Sequence, residues 1–212
     1  MMVADRIEHS SWFNTRLIEC GLYLTTEDYY YSGNRPNIWF LCGTERDIII
    51  DTGLGVCNLK KHLEKLGFLK NNRECIVVCT HAHFVHSGGA HHFDNVLIHQ
   101  GDYDGLKEYK VPPTKYERIF DGHRINLGGG DDDEIQIKHV PDHTPGSIIC
   151  YYPRCLFDWA PTSSTVDYIQ SANLMIDWLD QHEIEKVYPG HYEIMTAKQT
   201  QKLLKEYIQA KQ

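Results

Sequence analysis

Cys79-Thr80-His81-Ala82-His83-Phe84-Val85-His86-Ser87-Gly88-Gly89 follows the apolar run Ile76-Val77-Val78 and carries three histidines within six residues. No other stretch of the chain is as dense in ligand chemistry. In an extended loop, residues two apart project to the same side with Cα atoms roughly 6.6 Å apart, so His81 and His83 can turn their imidazoles onto one ion. His86 lies beyond a turn and faces a neighbouring position. A chain with 13 histidines clusters some by chance. Strand, histidine loop and Gly-Gly in succession nevertheless point to a metal site.

Upstream, residues 37–42 read as a strand, and Gly43-Thr44-Glu45-Arg46 as a hairpin connection into Asp47-Ile48-Ile49-Ile50, which runs into Asp51-Thr52-Gly53-Leu54-Gly55. Leu59, Leu63 and Leu66 at i, i+4 and i+7, with Gly67 at the stop position, predict an amphipathic helix over about 58–66. Residues 74–79 are a buried strand, and a short helix begins in 88–93, with His91 and His92 as packing or surface residues. Residues 96–99 are the next strand. The polar segment 100–118, broken by Pro112-Pro113, is expected to be a loop over the active site.

Further on, 122–127 and 134–140 read as strands around Gly128-Gly129-Gly130-Asp131-Asp132-Asp133. That acidic run lacks the spaced ligands of a calcium loop and reads as a solvated hairpin tip. Residues 147–152 and 155–157 form a hairpin. Thr162, Ser163 and Ser164 cap a helix whose Val166, Ile169, Ala172, Ile176 and Leu179 share a face. After a short strand at 185–188, Thr196 and Gln199 make a capping box for a closing helix.

The 212 residues suit one domain, 1–212. The net charge of −8, with no long basic run, argues against nucleic acid as a partner. Seven scattered cysteines, with no Cys-x-x-Cys pair, fit a reduced compartment. The N-terminus lacks the apolar core of a signal peptide, and no apolar run approaches the ~20 residues of a membrane span. The expectation is a soluble, cytoplasmic protein. Cysteine acylation leaves no reliable sequence pattern, so peripheral membrane attachment stays open.

The histidine stretch resembles the His-x-His-x-Asp-His signature of the metallo-β-lactamase fold superfamily, with Val85 where that family has aspartate. Asp51-Thr52-Gly53 matches the first motif. Pro141-Asp142-His143-Thr144-Pro145-Gly146-Ser147 matches the third, with Asp142 in place of the usual glycine, and Pro189-Gly190-His191 matches the last. The resemblance implies an α/β (α+β) fold, a four-layer αββα sandwich with metals at one edge. It implies His81, His83 and His143 as ligands of a first metal, with His86 and His191 facing a second. Asp51 becomes a buried acceptor that holds the histidine loop.

The family's bridging Gly-Asp is absent. Leu156-Phe157-Asp158-Trp159 stands there, roughly ten residues shorter than expected, and Asp158 is the one candidate for the bridging metal ligand and its catalytic part. Tyr31 to Trp39, Ile125-Asn126-Leu127-Gly128 and Glu185 to His191 are similar to a thioesterase branch of the superfamily, which implies hydrolysis of acyl-CoA thioesters.

Zinc is the implied cofactor, and a small-molecule thioester or ester the implied partner. Three readings follow. The chain is a zinc-dependent hydrolase of acyl-CoA thioesters, a catalytically impaired relative that binds metal or ligand without turnover, or an iron-dependent sulfur dioxygenase-like member. Val85 and the missing Gly-Asp favour the second.

Overall fold

The structure, a computed structural model, describes residues 12–69, 73–141, 143–157 and 166–211. Asp142, Asp158 and the capping residues Thr162, Ser163 and Ser164 lie outside the described residues.

Two sheets stack face to face. The first runs β1 (Phe13–Glu19), β2 (Leu22–Glu27), β3 (Ile38–Cys42), β4 (Asp47–Ile50), β5 (Cys75–Cys79), β6 (Val96–His99) and β7 (Tyr116–Ile119), in spatial order as in sequence. Strands β1 to β4 are antiparallel, whereas β4 to β7 are parallel. The second sheet has the order β13 (Met195–Thr196), β12 (Lys186–Tyr188), β11 (Cys155–Phe157), β10 (Ile148–Tyr152), β9 (Glu134–His139) and β8 (Arg124–Asn126).

The apolar runs of β4, β5 and β6 are continuous because both faces of these strands are covered. Ile48, Ile50, Val78 and Leu97 face the inter-sheet core with Ile135, Ile137, Ile148 and Phe157. Ile49, Val77, Val96 and Ile98 point the other way, onto Leu59 and Leu63 of the helix Leu59–Lys65. On the far side of the second sheet, Ile149, Leu156 and Val187 pack with Ala172, Met175 and Leu179 of the helix Val166–Gln181 and Leu204 of the helix Ala197–Lys211. The result is the expected α/β arrangement of helix, sheet, sheet and helix.

Local signals translate directly. Asn58 caps its helix by accepting from the Lys61 backbone N–H at 2.9 Å, and Gly67 takes φ 81° just beyond the end. Thr196 and Gln199 exchange the capping-box bonds, at 2.8 Å from Thr196 N to Gln199 Oε1 and 3.3 Å from Gln199 N to Thr196 Oγ1.

Two expectations change. Segment 100–118 is not one loop: it holds the short helices Gln100–Tyr103 and Gly105–Glu108 and the start of β7. The acidic tip is only partly solvated. Asp131 and Asp132 are exposed, but Asp133 is 5% exposed. Its carboxylate accepts from Thr44 N at 2.6 Å, Gly129 N at 3.1 Å and Tyr152 Oη at 3.0 Å, joining the β3–β4 turn to the second sheet.

Burial alone would raise the Asp133 pKa, but the bonds from Thr44, Tyr152 and Gly129 outweigh it and hold the group below the usual carboxylate range. A depressed folded-state pKa contributes stability that is present above the unfolded value of about 4 and lost as pH falls through the folded one. Asp133→Asn is therefore expected to lower unfolding free energy at pH 7 by about 1–3 kcal/mol, with the gap to wild type narrowing below about pH 4. Denaturant melts at pH 7 and pH 3 check this; a gap independent of pH contradicts it.

Candidate metal centre

Parallel strands deliver chemistry at their carboxyl ends, and three neighbouring strands do so here. Asp51 follows β4, the histidine loop follows β5, and residues 100–102 follow β6. From the second sheet, the connection between β9 and β10 carries His143, and the turn after β12 carries His191.

Asp51 is the hinge of the arrangement. Its backbone lies in the left-handed region at φ 63°, which costs most side chains strain but aspartate less. The buried carboxylate accepts from Thr80 N at 2.8 Å, from Thr80 Oγ1 at 2.9 Å and from His86 Nδ1 at 2.7 Å. The neighbouring Thr52 donates from its amide, at 2.7 Å, and its hydroxyl, at 2.9 Å, to the His86 carbonyl. Gly88-Gly89 permits this closeness: a Cβ at Gly88 would lie 2.5 Å from Leu54 O, and one at Gly89 2.3 Å from Thr52 O.

These bonds set the imidazole tautomers. Thr80 Oγ1 gives its proton to Asp51, so at 3.1 Å it accepts from His81 Nδ1, leaving Nε2 of His81 as the lone-pair nitrogen; that nitrogen is buried. His83 is half-buried. Burial, followed by the neighbouring His81, His143, His86 and His191, pushes its pKa down to about 3, so the ring is neutral near pH 7. His81, His83 and His143 each offer a nitrogen, and these three atoms lie within 4.8 Å of one another. Three imidazole nitrogens converging from three sides suit a tetrahedral ion, whose nitrogen bonds of about 2.0–2.1 Å would draw them closer together.

The other two histidines form a separate pair. Nε2 of His86 and Nε2 of His191 are 2.9 Å apart. His86 donates from Nδ1 to Asp51, and His191 donates from Nδ1 to the Arg35 carbonyl at 3.0 Å. With both rings neutral, two lone pairs would face each other across that gap. A proton or a metal ion between the two nitrogens would satisfy both lone pairs. Their neighbourhood adjoins the triad: the ring centroids of His81 and His86 are 4.1 Å apart. The His191 turn is fixed from the first sheet, since Asn37 Nδ2 donates to Pro189 O and to Tyr192 O at 2.9 Å each, and Trp39 Nε1 to Pro189 O at 3.2 Å.

Val85, partly exposed, is on the short helix Phe84–Ser87, between His83 and His86 in the sequence. Its side chain offers no acceptor to either. His91 and His92 are outside the triad; their rings are tilted at 45° with centroids 3.9 Å apart, and His91 Nδ1 donates to the Gly88 carbonyl.

Three further residues escape the sequence reading. Thr80 relays Asp51 to His81. Tyr109 sets its ring edge-on to His83 at 4.5 Å. Asp102, 2% exposed, reaches both the histidine loop and the His143 loop. Its only sequence signal is a carboxylate three positions past a strand end, beside Gly101.

The family model of the metallo-beta-lactamase superfamily matches residues 32–157. The chain is 30% identical over 243 residues to the protein named acyl-coenzyme A thioesterase MBLAC2 of Gallus gallus, covering 93% of this chain and 87% of the relative. The Homo sapiens protein of the same name is 30% identical over 246 residues with the same coverages. Among solved structures, the metallo-beta-lactamase family protein TTHA1429 from Thermus thermophilus superposes with a TM-score of 0.70 at 19% identity, over 92% of this chain and 81% of that one. The order of motifs, the two-sheet topology and relatives matched along most of the sequence agree: this chain belongs to the metallo-beta-lactamase superfamily.

Proposed function

We propose that this protein is a zinc-dependent hydrolase of acyl-CoA thioesters with a one-metal centre of His81, His83 and His143. The observation that carries the reading is the convergence of three imidazole nitrogens within 4.8 Å in a chain whose matched relatives bear a thioesterase name. Zinc held there supplies a Lewis acid for the thioester carbonyl and lowers the pKa of water to about 7.

The chain's own residues do the rest. Asp51 keeps His86 and, through Thr80, His81 in single tautomers, and desolvated His83 stays neutral and ready to donate its lone pair. Hydrolysis breaks the carbon–sulfur bond, giving a carboxylic acid and the thiol of coenzyme A. His86 and His191 provide two nitrogens for a second cation, with Asp158 as the one carboxylate the sequence offers to complete it.

Val85 favours a second reading, a relative that keeps the metal but turns substrate over poorly or not at all. Where an aspartate would accept a proton from the attacking water, valine has no lone pair.

Two outcomes test the proposal. Purified protein is expected to hydrolyse acyl-CoA in a manner abolished by chelator and restored by zinc. His81→Ala and His143→Ala should lose both bound metal and activity, whereas His123→Ala, in the turn before β8, should retain both. Metal-replete wild type with no turnover of short- or long-chain acyl-CoA refutes the hydrolase. Separately, Val85→Asp is expected to gain zinc-dependent thermal stability and a higher rate, as the carboxylate finds a cation. A stranded, partly buried carboxylate would instead destabilise the fold with or without zinc. That result, with no gain in rate, selects the impaired reading.

A further inference from the structure

The carboxylate of Asp102 belongs to neither the histidine motif nor its first-sheet support, yet it touches both ligand loops. Oδ2 accepts from the Ala82 amide at 2.6 Å and from Thr144 Oγ1 at 2.7 Å, and Oδ1 accepts from the Gly146 amide at 2.6 Å. Ala82 lies between His81 and His83, and Thr144 directly follows His143. One buried anion thus joins the backbone between two of the triad's histidines to the residue beside the third.

The surroundings are shaped for this contact. A Cβ at Gly146 would come within 2.4 Å of Asp102 N, and one at Gly101 within 2.6 Å of Pro145 O, so the two segments approach only through glycine. Thr144 is itself fixed: its amide donates to Ser147 Oγ at 3.0 Å, and the two hydroxyls are 2.8 Å apart. Ser87 Oγ donates to the Ala82 carbonyl at 3.0 Å, so the peptide units flanking Ala82 are held from both sides. Hydrogen bonds to an ionised acceptor are short and strong, and three that converge on one carboxylate leave the loops little freedom.

We propose that Asp102 is the positioning residue of the metal centre, fixing the spacing between the His81–His83 pair and His143 before any ion arrives. Asp51 orients imidazoles through their Nδ1 atoms and Thr80; Asp102 sets the distance between the loops that carry them. This inference rests on the ligand reading above. Loss of a carboxylate that supports metal ligands costs about 10–100-fold in metal affinity in comparable sites.

The test measures zinc affinity by chelator competition on metal-free protein shown to be folded by circular dichroism, with the absorption spectrum of the cobalt(II) form as a reporter of ligand geometry. Asp102→Asn keeps the size but loses one acceptor and the charge, and is expected to weaken zinc about 10–100-fold and to alter the cobalt bands. Thr144→Val, which removes one of three donors, should weaken zinc less. Asp104→Asn, an exposed neighbour, should match wild type.

A purely structural carboxylate would lower the melting temperature of metal-free and loaded proteins alike and leave affinity and spectrum unchanged. That result in a folded Asp102→Asn overturns the proposal. If Asp102→Asn does not fold, Thr144→Val decides, and wild-type affinity and spectrum in that variant overturn the proposal. A wild-type protein that binds no zinc overturns the ligand reading and this assignment together, whereas wild-type binding matched by the variants overturns this assignment alone.

Discussion

A buried carboxylate at the end of β4 is the interaction on which the site depends. Asp51 accepts the Thr80 amide and hydroxyl and the His86 imidazole while its own backbone is held at φ 63°. A carboxylate this deep is tolerated only when donors surround it. The donors it recruits are those that orient the histidines, so the cost of burying the charge and the order of the metal centre are met by the same bonds. Parallel pairing of β4, β5 and β6 makes this possible, since it brings three successive strand ends to one edge.

Charge explains why the histidines separate into a triad and a pair. His81, His83 and His143 turn one nitrogen each toward a common point, and burial, together with crowding by other imidazoles, keeps His83 from protonating. His86 and His191 are closer, 2.9 Å between Nε2 atoms, and both rings already donate from Nδ1. That pair is arranged to share a cation between its nitrogens, and the carboxylate bonded to it is that of Asp51. In the sequence pattern of the superfamily an aspartate would stand at position 85, and valine there brings no second anion to the pair.

What is legible in the sequence is local. The histidine spacing, the Asn58 and Thr196–Gln199 caps and the runs of β4, β5 and β6 depend on neighbours a few residues away, so their patterns survive in one dimension. β1 escapes such a reading because, as an edge strand with several exposed positions in Phe13–Glu19, it lacks an apolar run. Asp102 and Asp133 escape it for a different reason: their partners are 20 to 44 and 4 to 89 residues distant, and a carboxylate in a polar segment carries no mark of the donors that will surround it. The order of the site histidines is readable; the two carboxylates that tie remote loops together are not.

The central claim is a one-metal centre of three histidine nitrogens, and zinc K-edge X-ray absorption of protein loaded with one equivalent of zinc tests it most directly. The account predicts three histidine nitrogens and one oxygen scatterer at about 2.0–2.1 Å, with no zinc–zinc distance. A sulfur shell at about 2.3 Å, or a metal–metal vector at about 3.5–4 Å, would contradict it.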